Sequence, residues 1–188
     1  MIRANFTAEL HCSHGQIGVA DTDEFNNPTF QEDQDGWLCA HDSRPPRFGF
    51  KPVLFAFQFI KQEVERSYYY IYAANNWDYR GARLEQNKNG WLGLYGTHVA
   101  GRIIDAFNPA NLLRNQDAWK IQTLQPWDGD PATAEGIEFY LRDRNGHRVS
   151  EVGEQRYYRG YQHTFLFLHA GDREGEILKF TLRNVTLA

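Results

Sequence analysis

Six consecutive residues, Asn75-Asn76-Trp77-Asp78-Tyr79-Arg80, put two aromatic rings, two amides and a carboxylate into one short stretch. That combination has a recognisable chemistry, the holding of a neutral sugar ring. An indole or phenol face covers the C–H side of a pyranose, while compact Asp and Asn side chains accept from and donate to two neighbouring hydroxyls. The stretch follows directly on the apolar run Tyr68–Ala73, so an exposed loop after a strand is expected there. Asp21-Thr22-Asp23-Glu24-Phe25-Asn26-Asn27 has the same ingredients with more negative charge, and offers Asp21, Asp23, Phe25 and Asn26 as a second candidate site. The competing reading is structural: a solvated turn whose Asn residues fold the backbone and whose Trp covers a sheet edge.

Three other groups could do chemistry. Cys12-Ser13-His14 and Cys39-Ala40-His41 each place Cys and His two residues apart. On a strand such positions face one side, so the two halves together could present four ligands to zinc. Neither half has a tight C-x₂₋₄-C knuckle, so ordinary buried thiols beside surface histidines are the favoured reading. A single Cys12–Cys39 disulfide is the remaining option. Arg156-Tyr157-Tyr158-Arg159-Gly160-Tyr161-Gln162-His163 could grip a carboxylate, a phosphate or a partner surface through its Arg forks. Against that, Tyr rings and Arg stems commonly lie along an apolar surface with their polar ends in water. Asp128-Gly129-Asp130 lacks the ligand pattern of a calcium loop and reads as a turn.

No metalloprotease, serine-hydrolase, phosphate-loop or dinucleotide motif is present. Carboxylates are abundant enough for a glycoside hydrolase, but no pair stands out. The expectation is a protein that is not an enzyme, with no cofactor and no bound metal.

The elements that must position these residues read as strands. Aromatic residues make up 15% of the 188-residue chain and Met occurs once, a balance that suits pleated, half-buried strands better than helices. Ten short segments have strand character: Phe6–Cys12, Ile17–Ala20, Trp37–Ala40, Val53–Ile60, Tyr68–Ala73, Trp91–Tyr95, Trp119–Leu124, Ile137–Leu141, Phe165–His169 and Ile177–Leu182. Asp143-Arg144-Asn145-Gly146 is expected to form a tight turn. Val99–Arg114 is the one stretch with helical character, and one short helix is expected there.

Two internal rhythms run through these segments. Ala20-Asp21-Thr22, Phe25, Phe30 and Gly36-Trp37-Leu38 recur 54 residues later as Ala74-Asn75-Asn76, Tyr79, Leu84 and Gly90-Trp91-Leu92. The triplets Phe57-Gln58-Phe59, Trp119-Lys120-Ile121 and Phe180-Thr181-Leu182 follow one another at intervals of 62 and 61. Repeats of a few dozen residues built from short strands mark a stacked or pseudo-symmetric all-β architecture.

In these features the chain resembles the β-trefoil superfamily, in the general style of ricin-B-type lectins and fascin-like domains. The resemblance implies one domain over residues 1–188: a six-stranded barrel capped by three hairpins, with Phe57, Trp119 and Phe180 related by pseudo-threefold symmetry. A jelly-roll or β-sandwich is the alternative. Ricin-B-type lectins carry Gln-x-Trp in each third, whereas this chain has Asp35-Gly36-Trp37 and Asn89-Gly90-Trp91. The Trp is a core residue in that family, so the resemblance implies that Trp37 and Trp91 are buried structural residues, while the changed polar residue two positions earlier argues against direct transfer of the family's sugar site.

A formal net charge of −4 argues against binding nucleic acid through phosphate neutralisation. The start of the chain lacks the apolar core of a secretory signal, and no run is long enough to span a membrane. The expectation is a cytoplasmic protein, or one exported without a classical signal peptide. The leading functional expectation is a lectin whose partner is a carbohydrate or glycoprotein, with homo-oligomerisation as a route to avidity. A protein-interaction trefoil using Arg156–His163, such as a protease inhibitor or cytoskeletal binder, is the second. A hydrolase is the third.

Overall fold

The computed structural model describes residues 1–21, 36–43, 49–75, 79–95, 118–158 and 161–188. It is mostly β, and its one described helical element is a short 3-10 turn at Pro131–Gly136. The strands are β1 (Phe6–Cys12), β2 (Gly15–Asp21), β3 (Leu38–Ala40), β4 (Gly49–Pro52), β5 (Leu54–Glu63), β6 (Arg66–Ala73) and β7 (Arg83–Gln86). They continue as β8 (Leu92–Tyr95), β9 (Trp119–Thr123), β10 (Phe139–Arg142), β11 (Val149–Tyr158), β12 (Tyr161–Ala170), β13 (Glu176–Ile177) and β14 (Thr181–Leu187).

Most of these strands form one curled antiparallel sheet. β1 pairs with β5, β5 with β6, β6 with β9 and β9 with β10. Phe139 and Phe180 then exchange two backbone hydrogen bonds of 2.9 Å, and β14, which follows Phe180, pairs with β1. The path of strands thus returns to its starting point. Alternation explains which residues fill the interior, because successive side chains on a strand face opposite sides. In β6 every second residue is buried, which turns Ser67, Tyr69, Ile71 and Ala73 inward and leaves Tyr68, Tyr70 and Tyr72 on the outer face. Phe6 stacks on Phe57 at 4.5 Å, and Tyr69 meets both edge-on at 5.7 and 5.9 Å. Phe57, Trp119 and Phe180 are all fully buried, as the sequence rhythm requires.

Three hairpins, β2–β3, β7–β8 and β11–β12, meet around a second aromatic cluster. Trp37 and Trp91 stack at 5.1 Å, and Phe167 stands edge-on to them at 5.2 and 6.2 Å. Backbone bonds reinforce the contact, since Leu94 donates to the carbonyl of Gly36 and Ala170 to that of Gly90. Both tryptophans are buried, as expected from the Gly-Trp-Leu repeat. Sequence reading placed Phe167 in the strand segment Phe165–His169 but not in this cluster, because Leu166-Phe167-Leu168 does not share the Gly-Trp-Leu pattern.

Gly90 has a positive φ of 92°, and a Cβ there would lie 2.3 Å from the His169 ring, so the turn requires glycine. The His169 Nε2–H donates to the carbonyl of Asn89 at 3.0 Å, while its ring sits edge-on to Trp91.

Other local expectations resolve plainly. Gly146, with φ of 95°, closes the Asp143–Gly146 turn through a hydrogen bond to the Asp143 carbonyl. In Asp128–Asp130 the Asp128 side chain accepts from the Asp130 N–H at 2.9 Å, and Asp130 caps the 3-10 element that Pro131 opens. The expected helix at Val99–Arg114 lies outside the described residues. Gly49–Pro52, Arg83–Gln86 and Val149–Tyr158 form strands that the sequence did not advertise. Among the described residues no helix is long and apolar enough to cross a membrane, which bears on helical spans only.

Two predictions follow from the hairpin cluster. Trp91→Ala should destabilise the fold by about 3–5 kcal/mol, read as a lower midpoint in guanidinium unfolding. Burial holds the His169 imidazole below its ordinary pKa, with Arg173 adding to that effect. The folded ring therefore takes its proton at lower pH than the unfolded one, which titrates near about 6.5. Stability should be full above that pH and decline as pH falls from it toward the depressed folded value. Urea unfolding across this window should show the wild type losing more stability than His169→Gln.

Candidate functional site

The loop after Ala73 is clamped at both ends. Ala74 donates to the carbonyl of Leu54 at 2.7 Å, and the Asn75 Oδ1 accepts the Leu54 N–H at 2.6 Å. On the return side, Ala73 and Ala82 are joined by a 2.8 Å hydrogen bond, Gly81 donates to Ala73, and Ala82 donates to Tyr79. Gly81 has a φ of 80°, the left-handed geometry that lets the chain reverse so tightly.

Asn75 is exposed, but its side-chain oxygen is occupied by the backbone of β5. Tyr79 corrects the sequence expectation: at 3% exposure it is part of the core and offers no ring to a ligand. The 54-residue repeat held the signal for this, because it aligned Tyr79 with Phe25 among apolar positions. Asn76, Trp77 and Asp78 lie outside the described residues. So do Asp23, Phe25 and Asn26, while Asp21 ends β2 opposite Gly49. The described residues of the Arg156–His163 stretch lie on β11 and β12, with register running to Tyr158 opposite Tyr161. Tyr161 is 73% exposed.

A polar cluster gathers elsewhere, on residues the sequence reading had only partly singled out. His14 sits in the two-residue turn joining β1 to β2, where Cys12 pairs with Gly15. That turn is held against residues 41–43, since Asp42 donates to the His14 carbonyl and His41 to that of Gln16, both at 2.9 Å. Glu151 lies on β11, directly opposite Glu176 of β13. Gly175 makes that approach feasible, because a Cβ there would fall 2.4 Å from the Glu151 carbonyl oxygen.

The His14 Nε2 faces both carboxylates, at 3.1 Å from Glu176 and 3.8 Å from Glu151. One ligand atom from each of the three residues lies within 4.8 Å of the others. The Glu151 side chain is 4% exposed and its Oε1 has no hydrogen-bond partner. Burial pushes the Glu151 carboxyl above the usual carboxylate range, and the charge of Glu176 adds to the push. A hydrogen bond from Ser43 and the nearby His14 oppose it.

The paired Cys-x-His arrangement does not form. Cys12 and Cys39 are not joined in a disulfide: Cys39 is buried within the hairpin cluster and Cys12 packs against the main core. Burial pushes the Cys12 thiol up to about 11, with Glu151, Glu176 and Asp42 contributing, so it stays protonated at neutral pH. His41 pairs with Asp42 at 2.7 Å. Among the described residues, His14, Glu151 and Glu176 are the one group of three with the spacing of a metal site. Of these, Glu151 and Glu176 carried no sequence signal, because β13 is only two residues long and its pairing with β11 is not local.

No family model matches this chain, and neither the curated proteins nor the solved structures contain a match.

The anchoring of the loop can be tested. Asn75→Ala removes the acceptor for the Leu54 amide and should cost about 1 kcal/mol in urea unfolding. Hydrogen exchange at Leu54 should accelerate, while the core amides of β6 keep their protection.

Proposed function

We propose that the chain is a single-domain β-trefoil that binds carbohydrate through its surface loops and performs no chemistry. The architectural part rests on the returning six-strand path of β1, β5, β6, β9, β10 and β14 and on three hairpins meeting at one aromatic cluster. Six such strands and three hairpins are the parts a trefoil requires. The nearest counterpart of Gly36-Trp37-Leu38 and Gly90-Trp91-Leu92 in the last third is then Leu166-Phe167-Leu168.

One observation carries the functional part. The segment holding Asn76, Trp77 and Asp78 is bracketed by Asn75, tied to β5, and by Tyr79, sunk in the core. Flanking residues already held in place lower the ordering cost of the weak, shallow contacts sugars make. In this reading Trp77 stacks on a pyranose ring. Asp78 and Asn76 hold vicinal hydroxyls. With Tyr79 in the core, Trp77 is the sole aromatic platform of this loop.

Single-site affinity is expected in the micromolar to millimolar range, about −8 to −4 kcal/mol. A second site around Asp21–Asn27, or self-association, would raise the avidity. The exposed Tyr161 at the β11–β12 tip supports a second reading, a protein-interaction module that docks through this hairpin.

A broad glycan array tests the first reading. The wild type should bind a neutral-sugar class, and Asp78→Ala should abolish that binding with unchanged unfolding, since a charge-assisted hydrogen bond is lost. A blank array, or an Asp78→Ala protein that binds like the parent, refutes it.

A further inference from the structure

The cluster formed by His14, Glu151 and Glu176 has an electrostatic problem that its own members do not solve. Two glutamates face each other across an antiparallel pair, an arrangement that destabilises a sheet when both are charged. One of them is almost wholly buried. Among the described residues no lysine or arginine forms an ion pair with either. The cationic candidate within reach of both, among the described residues, is His14, whose single Nε2 must serve both carboxylates. One proton on one nitrogen cannot be directed at two acceptors 3.1 and 3.8 Å away with good geometry. Even then the buried Glu151 Oε1 remains without a partner. A buried carboxylate oxygen left unsatisfied is costly, and natural proteins seldom retain one without a compensating group.

We propose that His14, Glu151 and Glu176 bind a divalent first-row transition metal ion, zinc being the natural choice. One imidazole nitrogen and two carboxylate oxygens are a donor set that zinc accepts, with bonds of about 2.0–2.2 Å. Such bonds place neighbouring donors roughly 3–3.5 Å apart; the two His14–carboxylate separations of 3.1 and 3.8 Å are close to that, and all three donors lie within 4.8 Å of one another. The side chains that must move are the accessible ones, since Glu176 is 60% and His14 32% exposed, while Glu151 is the fixed donor. Three protein ligands on an accessible rim leave the fourth position to water.

The ion would sit between the His14 Nε2 and the two carboxylates and give the buried Glu151 carboxylate a counter-charge. The consequence is structural as well, because the three donors come from the first hairpin turn and from two strands of the last third. A bound ion clips these distant parts of the chain together and stabilises the folded state by mass action.

The test uses the full chain, treated with chelator and titrated by calorimetry with zinc chloride, alongside thermal unfolding with zinc or with magnesium. One equivalent of zinc should bind and raise the melting temperature, while magnesium should have little effect. His14→Ala and Glu151→Gln should each weaken zinc binding at least about tenfold, a loss that changes around a metal site commonly produce. Glu151→Gln removes the buried charge without changing shape, and Glu176→Gln, at an exposed position, guards against misfolding of the other variants. Absence of zinc binding by the wild type up to about 1 mM, or binding by all three variants at the parental affinity, would overturn the proposal. This outcome is independent of the glycan array, which reads a different loop.

Discussion

One end of this molecule depends on three rings in mutual contact. Trp37, Trp91 and Phe167 come from hairpins far apart in the chain, and their stacked and edge-on contacts bury all three. A two-stranded hairpin is marginal by itself in water. Here each hairpin completes the apolar environment of the other two, so none has to stand alone. The backbone bonds from Leu94 to Gly36 and from Ala170 to Gly90 then fix the register in which they meet. Aromatic burial supplies the energy, and the bonds restrict the geometry to one solution.

The rigidity of that contact extends outward along β11 and β12. Ser150 is paired with His169, whose ring packs on Trp91, and the next residue on the strand is Glu151. The buried carboxylate is therefore held by the same framework that orders the hairpins, while its partners His14 and Glu176 sit on a turn and a two-residue strand. A rigid donor with two adjustable ones is an economical way to accept an ion.

Much of the fold was legible because strands announce themselves locally. Tyr68-Tyr69-Tyr70-Ile71-Tyr72-Ala73 could hardly form anything but a half-buried strand, and Gly-Trp-Leu preceded by polar turn residues identified buried tryptophans. What stayed hidden was non-local. Arg83–Gln86 is a strand because β8 and β6 lie on either side of it, not because of its own composition. Phe167 fills the place beside two tryptophans without sharing their sequence context. The His14 cluster unites residues more than a hundred positions apart, and no spacing rule reaches that far. Tyr79 shows the opposite failure. Its polar neighbours made it look like a ligand platform, yet the core had a space of its size and kept it.

The pairing of β1 with β14 joins the two ends of the described chain, with Phe6 opposite Leu187 and Ala188 donating to the carbonyl of Asn5. During synthesis β1 thus keeps an edge without its β14 partner until that strand has been made. The sheet cannot close before synthesis has passed Leu187, and contacts of such sequence separation are slow to form. The same closeness makes the ends easy to join. A circular permutant that links residue 188 to residue 1 and opens a hairpin tip elsewhere would keep every strand pairing while changing the order in which the strands are born.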